Sequence, residues 1–138
     1  MAIINLTTAN MMEGALLEPQ WYDLSIREMR IKTAASGNST NYFVEFNVIS
    51  HPDEPIVKKI INDSLGMKEV VALVAAVQGK TVGELLEEAK KNNGALSVDS
   101  EDLEGKKLKG RLTHTKDRDD KLQNDFSEYL PFGSEAVL

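Results

Sequence analysis

The side chains best suited to chemistry in this sequence are cations, and they fall in patterns. Between Gly105 and Arg118 stand Lys106, Lys107, Lys109, Arg111, Lys116 and Arg118, with Asp117 as the one acid. Lys107, Lys109 and Arg111 alternate, which puts them on one face of a strand. Arg27, Arg30 and Lys32 lie in an earlier strand-like run, and Lys58 and Lys59 in a third. A single-stranded nucleic acid needs such cations along its phosphates. It also needs aromatic faces for its bases, each stack contributing ~1–3 kcal/mol. The aromatic candidates are Trp21, Tyr42, Phe43 and Tyr129. Each group also has a plainer use. Alternating cations protect a solvated strand edge, and a Trp that starts a strand anchors packing. Phe43 serves either bases or a neighbouring helix.

Other chemistries find little to work with. The only histidines, His51 and His114, stand in no ligand-spaced motif, and there are no cysteines. Asp117, Asp119 and Asp120 are interleaved with Lys116 and Arg118 and lack the glycine and terminal glutamate of a calcium loop. No glycine-rich phosphate loop precedes a helix. The expectation is a non-catalytic protein with no metal and no cofactor. The net charge of −6 opposes indiscriminate binding to polyanions. It also favours a competing reading, a protein-interaction module that docks through the acidic helix around Glu84, Glu87 and Glu88.

The 138 residues fit one domain. Residues 1–19 form a lead-in arm in which Ile3, Ile4 and Leu6 make a short strand. Met1 to Asn10 carries no basic residue ahead of its apolar stretch, so it is not a secretory signal. No run approaches the ~18 apolar residues of a membrane span. With the absence of cysteine, this points to the cytoplasm.

Trp21 to Ala34 reads as a strand with a fault in its phase. Tyr22, Leu24 and Ile26 alternate with polar residues, then Met29 and Ile31 carry on in the opposite phase. A β-bulge near Arg27–Glu28 accounts for the slip and bends the strand. Ala35 to Ser39 is a turn. Asn41 to Ser50 returns, with Tyr42, Val44, Phe46 and Val48 on one face and Phe43 on the other. His51 to Pro55 ends it, and Ile56 to Asn62 is a third strand. Residues 64–100 are a helical insertion. Met67 to Val77 is one helix, stopped by Gly79, and Thr81 to Glu84 caps a second that ends near Lys91. Leu108 to Thr113 is a fourth strand, with Leu108 and Leu112 inward. His114 to Lys121 is a charged loop and Leu122 to Leu130 a fifth strand. Residues 133–138 are a tail. A bent first strand and helices between strands three and four describe a mainly β, five-stranded barrel of the oligonucleotide-binding type.

Four stretches carry a resemblance: LLEPQWYDLSI (16–26), SGNSTNYFVEFNVI (36–49), DLEGKKLKGRL (102–112) and NDFSEYLPF (124–132). Together they look like a family of small phage proteins encoded among replication and recombination genes. The resemblance spans most of residues 3–132 in short blocks. It implies an oligonucleotide-binding barrel that holds single-stranded DNA in the host cytoplasm, as a monomer or homodimer, alongside replication or recombination proteins. Two departures stand out: the helical insertion is long enough to cover part of the binding groove, and the tail is poor in acids. Bacterial-type single-strand binders often end in a strongly acidic tail, whereas residues 133–138 contain one acid, Glu135.

Overall fold

A computed structural model describes residues 2–6, 16–49 and 56–134. Five strands form one antiparallel sheet: β1 (Trp21–Thr33), β2 (Thr40–Val48), β3 (Val57–Asn62), β4 (Lys107–Lys116) and β5 (Leu122–Pro131). Their order is β3-β2-β1-β4-β5. Helices α1 (Asp63–Val77) and α2 (Val82–Lys91) stand between β3 and β4. This is the strand order and helix position of an oligonucleotide-binding-type barrel.

The phase slip in β1 is real. Ile26 pairs with Phe46 and Glu28 with Glu45, so Arg27 is the extra residue of a bulge. It falls where β1 leaves one neighbour. Before it, Trp21 to Ser25 pair with β4, and Ile26 closes on Gly105 and Lys106 with backbone bonds of 2.7 and 3.0 Å. After it, β1 continues on β2 alone. One strand thus bends from one half of the barrel into the other, as small barrels require.

Inside, Phe46 and Phe126 meet edge to face, ring centroids 5.5 Å apart, and Tyr129 stacks on Phe46 at 5.9 Å. Leu24, Ile26, Leu108, Leu112 and Leu73 of α1 fill the space around them. Gly110 admits Phe126 to this core. A methyl group there would lie 2.6 Å from Leu24 Cδ1 and 2.9 Å from Phe126 Cδ1. Both neighbours are fully buried and have nowhere to move. Gly110→Ala is expected to destabilise the fold by ~1–3 kcal/mol. Thermal melting followed by circular dichroism checks this, and an unchanged midpoint would show that the core yields freely here.

Asn62 ends β3 and begins α1, its side-chain oxygen accepting from the Ser64 amide at 3.1 Å. The helix therefore starts before Met67. Thr81 and Glu84 form the expected capping box on α2, and Gly79 breaks the chain between the helices with φ of 71°. Two assignments change. β4 continues through His114 to Lys116, so the loop before β5 is only residues 117–121. Residues 2–6 join no strand. The segment His51 to Pro55 and the end of the tail lie outside the described residues. Among the described residues, no helix is long and apolar enough to cross a membrane.

Candidate nucleic-acid interface

Beyond the bulge, the outer faces of β1, β2 and β3 line up in rows. Arg30 pairs with Phe43, and Phe43 with Ile60. The next row is Lys32, Asn41 and Asn62, and the row on the other side is Glu28, Glu45 and Lys58. The bulge sets this arrangement. Without its one-residue shift, Arg30 and Lys32 would face the core. The Arg30 guanidinium lies 5.5 Å and the Lys32 ammonium 6.0 Å from the centre of the Phe43 ring. Cations at this range are attracted to the ring face by ~0.5–1 kcal/mol at exposed sites. Arg30 also approaches Glu28 at 3.4 Å. Ile60, at 63% exposure, extends the apolar platform beside Phe43.

The platform runs into an open cleft of about 620 Å³ between β3 and the β4–β5 hairpin. Lys58, Lys59, Ile60 and Asn62 line one side and Lys116 and Arg118 the other, with the carboxylates of Glu69, Asp117 and Asp125 among them. The hairpin tip owes its shape to the acidic cluster. Asp117 accepts from the amides of Asp119 (2.8 Å) and Lys121 (3.0 Å), and its own amide donates to the Lys121 carbonyl at 2.8 Å. These aspartates build a turn that projects Lys116 and Arg118. Lys116 pairs with Asp120 at 3.3 Å and Lys58 with Glu45 at 3.7 Å. The Lys116–Asp120 pair is exposed and contributes ~0–1 kcal/mol, whereas the Glu45 side chain is only 15% exposed. The result is a surface that sets Arg30, Lys32, Phe43, Ile60, Lys58, Lys116 and Arg118 beside the carboxylates of Glu28, Glu45, Asp117 and Asp120.

No family model matches this chain, and the curated proteins contain no match. The interface therefore rests on its own geometry.

Arg27, at the bulge, borders the platform and shares Glu45 with Lys58, pairing with it at 3.1 Å. Three other cations named from the sequence lie elsewhere. Lys107, Lys109 and Arg111 do share the outer face of β4, but on the far side of β1 from the platform. Lys109 meets Asp23 at 3.0 Å and Arg111 meets Glu128 at 3.5 Å. Lys107 sits 5.3 Å from the Phe132 ring. Trp21 joins this second surface, opposite Arg111 in the register and half-buried. A phosphate approaching there meets carboxylates in the same rows as the cations, as in the Glu28–Glu45–Lys58 row, but, among the described residues, no outward cross-strand pair of a ring and an aliphatic side chain like Phe43 and Ile60.

Three named residues face inward. Tyr42 packs against the core and lines a space between the helices. Lys59 lies in the seam between the edge strands β3 and β5, its side chain 12% exposed. Its ammonium donates to Asp125 (2.7 Å) and the Phe126 carbonyl (2.6 Å) and pairs with Glu69 of α1 at 2.8 Å. Tyr129 is buried, donating its hydroxyl to Glu69 at 2.7 Å. Burial, and then the Glu69 carboxylate, push this phenol well above its usual pKa, so it stays a donor. Lys59 and Tyr129 therefore bind the barrel shut, and Tyr42 supports the helices. Ile60 is the residue that sequence reasoning passed over. Strict alternation in β3, with Val57 and Ile61 inward, would have placed it outside beside Lys58.

Proposed function

We propose that this protein binds single-stranded DNA without catalysis and largely without sequence preference, in phage replication or recombination within the host cytoplasm. The Arg30–Phe43–Ile60 row, opening onto the cleft that Lys58, Lys116 and Arg118 line, carries the reading. It presents ring and aliphatic faces for bases, which every base can use, and cations on either side for the phosphates. The sequence resemblance supplies the setting. The overall charge of −6 confines attraction to this surface.

The competing reading, docking through the acidic face of α2, has less support. Glu84 is engaged in the capping box, Glu87 pairs with Lys90, and Glu88 with Lys80. Two of the three charges, those of Glu87 and Glu88, thus have cationic partners within the chain.

Fluorescence anisotropy with a labelled oligo-dT tests the proposal. Binding is expected to saturate and to weaken with salt, log K falling against log salt by ~0.7 per phosphate neutralised. Absence of binding at micromolar protein and low salt would overturn it.

A further inference from the structure

Helix α1 is apolar on two faces. Val70, Leu73 and Ala76 are buried, and Leu73 and Ala76 belong to the barrel core. Met67, Val71 and Val74 face α2, which contributes Val82, Leu85 and Leu86. The two helices do not close on each other. They leave a cleft of about 430 Å³, floored by Tyr42 and lined without a single charged residue. Met67, Val82 and Leu86 remain about half exposed on its rim. An open apolar cleft of this kind marks a binding surface.

A matching segment lies in the same chain. Residues 2–6 read Ala-Ile-Ile-Asn-Leu, with no charge, and form no helix or strand. Ile3, Ile4 and Leu6 are 79, 83 and 69% exposed. These are three large aliphatic side chains left in water on their own protomer, off the cleft. Leu17 is tied to the β4–β5 pair. Its amide donates to Asn124 Oδ1 at 2.9 Å, and its carbonyl lies 2.7 Å from His114 Nε2.

We propose that the α1–α2 cleft receives the Ile3–Leu6 segment of a second copy of this chain. Exchange is reciprocal, because each copy offers one segment and one cleft, and it closes as a twofold dimer. The uncharged segment suits the cleft, since it meets no repulsion from Glu84, Glu87 and Glu88 on α2. The proposal is independent of nucleic-acid binding. Tyr42 and Phe43 point to opposite sides of β2, so a filled cleft leaves the Phe43 platform open.

The absence of cysteine gives a clean test. Ile4→Cys and Leu86→Cys are made as separate proteins, mixed in equal amounts and oxidised. The mixture is expected to give a disulfide-linked heterodimer in clear excess over either variant alone. Sedimentation should show a dimer for the unmodified protein. Ile4→Asp, or deletion of residues 2–6, should weaken it ~10-fold or more, with the circular-dichroism spectrum unchanged. A monomer at all concentrations would overturn the proposal, as would a dimer indifferent to loss of residues 2–6. Cross-linking only within one chain, in the Ile4→Cys/Leu86→Cys double variant, would overturn it in favour of a segment that folds back on its own cleft.

Discussion

Phe43→Ala combined with Arg30→Glu is expected to lower affinity for oligo-dT by ~100-fold or more. Loss of one stacked ring alone removes ~1–3 kcal/mol, which is ~5- to 150-fold. The Arg30 reversal adds a lost phosphate contact and a new repulsion, and so also flattens the salt dependence. Both side chains lie on the outer face of the barrel, so the melting temperature should hold. The informative control is Lys107→Glu with Arg111→Glu. It removes as much positive charge or more, but from the β4 surface, where Asp23 and Glu128 already oppose anions. Its effect should be several-fold smaller. Anisotropy titrations at matched salt decide the matter. If the Lys107/Arg111 variant loses more, the strand runs along β4 and the platform on β2 is only a decorated surface.

The contrast between these two surfaces shows what could be read from the sequence. The bend in β1 could be read because a bulge leaves its mark locally, in the phase of Ile26 and Met29. The helix caps at Thr81 and Gly79 are local in the same way. Alternation also placed Phe43 outside and Phe46 inside correctly. It could not rank the cationic strips, because rank depends on which acids stand opposite. Arg111 meets Glu128 only through the register of β4 on β5. The fifth strand was weakly patterned for a physical reason. Leu112 pairs with Phe126 and Arg111 with Glu128, so Ser127 is an extra residue, and Phe126 and Tyr129 both point inward three positions apart. That second bulge hid Tyr129 among the surface candidates. The β4 extension was masked by composition, since His114 to Lys116 look like a loop until their partners Gln123 and Asn124 are known.

Lys59 marks the sharpest difference between the sequence and the folded chain, and it yields the largest expected effect on stability. Next to Lys58 in sequence, it has the opposite role. Barrel closure brings β3 beside β5, and the Lys59 ammonium there holds Glu69 of α1 together with Asp125 and the Phe126 carbonyl of β5. The side chains of Lys59, Glu69 and Asp125 are each 20% exposed or less. Lys59→Met retains the length of the side chain but leaves two carboxylates facing each other with no cation. Breaking a buried arrangement of this kind costs on the order of 3 kcal/mol, because the uncompensated charges remain after the partner is gone. Urea unfolding should show the loss as a lower midpoint with an unchanged slope. Adding Glu69→Gln and Asp125→Asn to Lys59→Met removes the stranded charge and should restore much of the stability. At temperatures where Lys59→Met is folded, its affinity for oligo-dT should fall less than that of the Phe43→Ala/Arg30→Glu variant, since the ammonium, although it lines the cleft, is already held by two carboxylates and a carbonyl. The opposite pair of results, full stability with weakened binding, would make Lys59 a phosphate ligand and the seam a part of the interface.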